Sequence, residues 1–359
     1  MRRWLMASTG LLGVLLLAAG AACLTTGCGT LGYYAQAVHG HLDLLQSARP
    51  VATWTADPAT EPALRERLLL SQRMRDFAVT ELKLPDNDSY RRYADLKRGA
   101  AVWNAVAAPE LGLALKTWCF PVLGCVGYRG YYTREAADAL AAELRGQGFE
   151  TLVYGVPAYS TLGWSNWVGG DPLLNTFVNW NEGELARLIF HELSHQVAYA
   201  DDDTTFNESF ATAVERIGGR RWLQQHGTEQ ARADHLAHEQ RREDFRAFTL
   251  AWRGQLDALY RSDATEPAKR QRKAELMARM RAEYEVMKVQ RWRGFAGYDD
   301  WFARANNASF AVLAAYNELV PEFERLFERA GGDFPRFYAE VKGLAALPKD
   351  QRRAKLATP

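Results

Sequence analysis

One stretch limits the folds open to this chain more than any other: His191-Glu192-Leu193-Ser194-His195, closing the apolar run Leu185-Ala186-Arg187-Leu188-Ile189-Phe190. Two imidazoles four residues apart share a face only when the backbone is helical. On a helix both can reach one metal ion, while Glu192, one step round, points at the ion's open position. The chain must therefore hold a rigid, buried helix here and bring a third donor to it.

The sequence after His195 offers that donor soon. The helix is expected to run to about Ala200, the acidic Asp201-Asp202-Asp203 to break it, and Thr204 or Thr205 to cap a second helix starting near Phe206. At 1.5 Å rise per residue, His195 then sits about 7 Å before one helix end and Glu208 about 4 Å after the next helix start. Folding back brings them level, so Glu208 is the favoured third ligand, and Asp203 is the competing one. Glu215, seven residues on, shares the face of Glu208 and suits an acceptor for a ligand imidazole. Zn2+ is the ion such a His, His, Glu set implies, with water in the fourth place. A closed structural zinc would have four protein ligands and no need of Glu192, so the intact Glu192 points to catalysis.

Composition narrows the rest. Across 359 residues, 44 Lys and Arg face 43 Asp and Glu, a formal charge of +1, so no basic field implies nucleic acid as a partner. With 11 Trp, 15 Tyr and 16 Phe, the chain is too rich in aromatics for disorder and can bury a core. Arg2 and Arg3 precede an uncharged apolar run from Trp4 to Ala22, which reads as an export signal, residues 1–27. Thr25-Thr26-Gly27-Cys28 then places a small residue before Cys28, the expected lipidation site. Cys23 and an uncleaved membrane anchor are the alternatives. Residues 28–359 would form the exported body, tethered to a membrane by lipid and facing the periplasm of a bacterial envelope. Gly29, not Asp, follows Cys28, which resembles lipoproteins sent on to the outer membrane. Export leaves Cys119 and Cys125, flanking a Pro-Gly turn, to form a small-loop disulfide or to remain two separate thiols.

The expected fold is α+β and mainly helical, a small sheet packed on a helical core. Leu64, Leu68, Leu70, Met74 and Phe77 give a helical pattern over residues 62 to 82, ended by Pro85. Residues 126–132 read as a strand. Thr133 caps a helix with Ala136, Leu140 and Leu144 on one face, closed by Gly146 and Gly148, and residues 151–156 read as a second strand. Residues 228–293 are dense in charge. Phe245, Phe248, Trp252, Leu256 and Leu259, then Leu276, Met280, Tyr284 and Met287, recur at helical spacing, so this segment is an inserted helical hairpin with one apolar face. A solvated structural arm and a partner-binding arm are its two readings.

His191 to His195 together with Asn207-Glu208-Ser209-Phe210-Ala211 resembles the gluzincin pattern of zinc metallopeptidases, whose second helix carries Asn-Glu-x-x-Ala with a zinc-binding Glu. The chain as a whole is similar to a bacterial family of predicted aminopeptidases anchored as lipoproteins. Its matching blocks are Gly32-Tyr33-Tyr34 with Gln36, Trp118-Cys119-Phe120-Pro121, Tyr128-Arg129-Gly130-Tyr131, Ala158 to Trp164, Asp171-Pro172-Leu173, the metal motif, and Asn306-Asn307-Ala308 with Tyr316. Thr25, where Leu is usual, and the extra residues 166–170 depart from the pattern. The resemblance implies a zincin-like core and a lipid-anchored peptidase, with a peptide as substrate.

The implied reaction is peptide-bond hydrolysis by metal-activated water, with Glu192 as general base and then as acid to the leaving amine. The oxyanion needs a further donor, for which Tyr316 is the candidate, with Tyr159 and Tyr199 competing. Val153 to Leu162 fits an edge strand on which a peptide could align. An aminopeptidase also needs acidic groups for a free amine, and Glu182, Glu184 and Asp171 are all available. A tethered binding protein with a structural metal, and an endopeptidase for one envelope protein, are the alternative functions.

Overall fold

A computed structural model of the chain describes residues 28–120, 124–158, 169–313 and 319–357. The expected export segment, residues 159–168 with Tyr159 among them, and Tyr316 lie outside them. Among the described residues no helix is long and apolar enough to cross a membrane.

The architecture is α+β and mainly helical. Helix α1 (Cys28–Ser47) leads into β1 (Arg49–Pro50) and the short α2 (Val51–Ala56). Helix α3 (Pro62–Thr80) starts with proline at its first turn, where the missing N–H costs nothing, and buries Leu68, Met74 and Phe77. Strand β2 (Arg92–Ala94) pairs antiparallel with β1 and parallel with β8 (Leu173–Leu174) in a small sheet beside the core.

A second sheet has the order β6-β3-β7: β6 (Arg129–Tyr131), β3 (Val102–Pro109) and β7 (Phe149–Val156). Helix α4 (Arg134–Gly146) connects its two outer strands. Thr133 caps it by accepting from the Ala136 N–H, and Ala137, Ala141 and Leu144 are buried. Thus strand, helix and strand follow as expected, but the outer strands never touch. Between them runs β3, antiparallel to both, from Val102 opposite Val156 to Pro109 opposite Phe149. The segment expected as one strand at 126–132 is divided. Its first part belongs to β5 (Gly124–Val126), which forms a separate ribbon with β4 (Trp118–Phe120), and a bond between the Cys119 and Cys125 sulfurs joins the ribbon.

Two long antiparallel helices make the centre: α5 (Glu182–Ser194) and α6 (Thr204–Gln225). Leu185, Ala186, Ile189, Phe190 and Leu193 of α5 are wholly buried against Phe206, Phe210, Val214 and Trp222 of α6 and Phe77 of α3. Gly218 permits this approach, since a β-carbon there would lie 2.6 Å from Leu82 and 3.0 Å from Phe190.

The charged hairpin is α7 (Glu229–Arg261) and α8 (Glu266–Gln290). Trp252, Leu256, Met277, Met280 and Tyr284 form its seam. That seam continues into Phe302 of α9 (Asp299–Arg304) and Phe310 of α10 (Asn307–Leu313), a second core distinct from the central one. Helices α11 (Val320–Arg329), α12 (Phe334–Ala345) and α13 (Lys349–Leu356) cover the outer side of α6 through Phe323, Phe327, Phe337 and Tyr338.

Candidate metal centre

The site begins with how α5 is started and stopped. Asn181 caps it by accepting from the Glu184 N–H at 3.0 Å. Its helical pattern ends at Ser194, six residues short of the expected end near Ala200. The chain leaves the helix because side chains draw it elsewhere: Gln196 donates to Ser89 Oγ at 3.2 Å and accepts from Asn87 Nδ2 at 2.7 Å. Neither Thr204 nor Thr205 caps α6. Asp203 does, accepting from the Phe206 N–H at 3.1 Å. Asn207 then exchanges two 2.8 Å bonds with the backbone of Ala200, pinning the connection to the first turn of α6 and presenting the next residue, Glu208, to α5.

His191, His195 and Glu208 converge. Each offers one ligand atom, and all three atoms lie within 4.8 Å of one another. His191 Nε2 is 3.2 Å from His195 Nε2 and 3.4 Å from Glu208 Oε2, and His195 Nε2 is 3.8 Å from Glu208 Oε1. Tetrahedral zinc with bonds of about 2.0 to 2.1 Å has ligand-to-ligand edges of about 3.3 Å, so the donors already stand near the spacing one ion requires. Glu215 meets His191 from behind, its Oε2 2.8 Å from Nδ1. That contact sets Nδ1 as the protonated nitrogen of the neutral ring and turns Nε2 towards the other donors.

The electrostatics suit a cation. Burial presses on His191, but hydrogen bonds to Glu208 and Glu215 outweigh it and raise its pKa well above the usual histidine value. His195 is held down at about 4, by burial first and then by its neighbour His191. Glu192 is buried and pushed up to about 7, chiefly by that burial; Glu208, Asp171 and Glu215 add to the rise and His191 opposes it. A carboxylate poised near neutrality suits a group that takes up and returns a proton.

The other expected residues are dispersed. Asp203, the competing ligand, is 1 % exposed and bonded to Arg352 and Arg353, outside the converging set. Glu184 is committed to Arg242 and, at 3.6 Å, to Arg187. Glu182 accepts from Trp222 Nε1 at 2.9 Å. Asp171 is buried, and its charge bears on Glu192. Among the described residues β7 pairs only with β3 and so lies at the edge of its sheet; of the expected edge segment Val153 to Leu162, the strand covers residues 153–156, and 159–162 lie outside the described residues. Tyr199, in the connection after α5, is 44 % exposed, and burial together with the Glu208 and Asp201 charges raises its pKa. Tyr128, between β5 and β6, also feels Glu208; it was not foreseen, because nothing in its local sequence separates it from the neighbouring strand tyrosines.

Arg187 was also missed. Its guanidinium is 3 % exposed and joins Glu215 Oε1 at 2.5 Å and Glu239 of α7. The signal was there: a charge one turn before His191, inside an otherwise apolar helical face.

A family model described as "Putative aminopeptidase" matches residues 32–356. The chain belongs to this family. The match spans the site, both cores and the hairpin, so the aminopeptidase-family domain is this whole arrangement and not α5 and α6 alone. Comparison with curated proteins and with solved structures gave no match.

Proposed function

We propose that the protein is a zinc peptidase that removes N-terminal residues from peptides, exported and held at the bacterial outer membrane by a lipid on Cys28. The observation that carries the activity is the convergence of His191, His195 and Glu208 within 4.8 Å, with the buried Glu192 beside them. These three residues would hold the ion. Zinc bound there supplies a Lewis acid that makes water nucleophilic near neutral pH and polarises the scissile carbonyl.

The chain's own groups supply the rest. Glu192, with a pKa of about 7, accepts the proton of the attacking water and delivers it to the leaving amine. Glu215 holds the His191 ring in its tautomer. The edge of β7 from Val153 onward aligns the peptide backbone, and a tyrosine hydroxyl stabilises the oxyanion; Tyr316 is the donor proposed, with Tyr199 and Tyr159 competing. Among the acidic groups considered for the substrate amine, Asp171 lies where its charge reaches Glu192.

Glu192→Gln tests this. The change keeps size and helix but removes the base, so one zinc per chain and the fold persist while turnover falls about 10² to 10⁴-fold. Cleavage of a mixed peptide library, read by mass, reports both rate and position. Equal cleavage by wild type and variant at the same metal content overturns the mechanism, and internal cuts overturn the aminopeptidase reading.

The anchor is supported by Arg2, Arg3, the apolar run after them and the small residues before Cys28. A fatty-acid analogue fed to cells should label the protein, with the label lost in Cys28→Ser and kept in Cys23→Ser. The reverse pattern would move the lipid.

A further inference from the structure

The hairpin is tied to the candidate metal centre by a line of charged side chains that runs from the buried Arg187 to the part-exposed Glu239 and Arg242. His191 Nδ1 is 2.8 Å from Glu215 Oε2, and the other oxygen of Glu215 accepts from Arg187 Nη2 at 2.5 Å. The second arm of the Arg187 fork, Nη1, bonds Glu239 on α7. Glu239 is shared with Arg242, at 3.4 Å, and Arg242 also bonds Glu184 at the start of α5. One guanidinium thus spans two carboxylates on two different helices, a task for which its planar fork is suited and a lysine ammonium is not.

We propose that Arg187, held from the hairpin by Glu239, is a positioning residue that fixes Glu215 and through it the metal-facing orientation of His191. Two observations support a role beyond stability. An ion network of this kind is often no more stabilising than well-packed apolar side chains of the same volume, so stability alone does not explain five charges here. The fold also makes special room for this side chain: a β-carbon at Gly219 would lie 2.7 Å from Arg187 Cγ. On this account the hairpin is neither a bystander arm nor in the first instance a partner-binding one. Its base is the outer end of the metal site's support. The proposal rests on the metal reading given above.

The test uses zinc affinity, measured by chelator competition on the full chain, together with the visible spectrum of the cobalt-loaded protein. Replacing a residue that orients a metal ligand weakens binding by about 10 to 100-fold. Arg187→Lys should lie at the lower end of that range and Glu239→Gln at about 3 to 10-fold, each with an altered cobalt spectrum, a readout that looser packing of the hairpin would not move. Glu243→Gln, an exposed carboxylate on the same helix, should change neither. In a Glu215→Gln background, Glu239→Gln should have no further effect, because the route to His191 is already cut.

A Glu239→Gln protein that binds zinc as tightly as wild type overturns the proposal, as does a loss that persists in full in the Glu215→Gln background. These two measurements decide the matter even if Arg187→Lys fails to fold. A wild-type chain that binds neither zinc nor cobalt removes the proposed function and the relay together. Tight wild-type binding with indifferent variants removes the relay alone.

Discussion

Asp203 and Glu208 are five residues apart, both acidic and both plausible as the third ligand from spacing, and their surroundings separate them. Glu208 faces two imidazoles. Asp203 uses one oxygen to cap α6, while its carboxylate is clasped by Arg352 and Arg353 of α13. Removing it leaves the Arg352 guanidinium, 3 % exposed, without its most buried partner. Breaking a buried pair from one side costs about 3 to 5 kcal/mol, and losing a helix cap about 1 kcal/mol more. Asp203→Ala should therefore lower the urea midpoint sharply and leave metal content at one per chain, whereas Glu208→Ala should empty the site and unfold at nearly the wild-type midpoint measured without metal. If metal analysis shows the opposite, with zinc lost only from Asp203→Ala, Glu208 is not the third ligand.

At the scale of elements, close approach of α5 and α6 sets the distances in the site, and two glycines on helices should respond oppositely to the same change. Gly219→Ala drives a methyl into the Arg187 stem and should cost about 1 to 3 kcal/mol. Gly254 is exposed on α7, and a β-carbon there would meet nothing within 4 Å, so Gly254→Ala should gain about 0.5 to 1 kcal/mol. Denaturant midpoints of the two variants check both signs. The same elements show what could be read in advance. The metal helix and its partner were legible from the His-Glu-x-x-His spacing and the cap and Asn-Glu signals after it, although both are buried nearly all round, and the hairpin helices from apolar residues at spacings of three and four among many charges. Strand β3 was not, because Ala105 to Ala108 are buried on both sides of a central strand, so the alternation that marks a half-buried strand is missing. The early end of α5 was equally hidden, since Ser89 and Asn87, which hold Gln196, lie more than a hundred residues away in sequence. Of the site, the two histidines, Glu192, Glu208 and Glu215 were readable from spacing on two helices. Arg187 left a trace, a charge one turn before His191, but its role and that of Glu239 needed the fold, because the partners of Arg187 come from three elements.

For the whole molecule, the buried carboxylates that join the hairpin to the central helices set how stability depends on pH. Glu184 is pulled down to about 2: burial opposes this, but contact with His235 and the charges of Arg242, Arg187 and His238 prevail. Glu239 and Glu215 are likewise lowered against the effect of burial, both with Arg187 as a leading cause. His238, on the same face of α7, is lowered by burial first, with Glu184 opposing and Arg242, Arg241 and Arg187 adding to it. Each of these groups binds fewer protons folded than unfolded, so stability falls as pH falls. The loss should begin gently below about pH 6.5, where unfolded histidine takes up its proton. It should steepen below about 4.5 and continue towards 2, with Glu184 alone worth on the order of 3 kcal/mol. Glu192, whose pKa is raised, acts in the opposite sense between about 4.5 and 7 and flattens the upper part of the curve. Because Glu184 faces Arg242 and both arm histidines, its protonation should release the hairpin before the central helices melt. Hydrogen exchange at pH 3 should show α7 losing protection ahead of α6, and Glu184→Gln should lower stability at pH 7 while reducing its slope between pH 4.5 and 2.5. An unchanged slope in that variant, or α6 opening first, would mean that the acid sensitivity lies elsewhere in the fold.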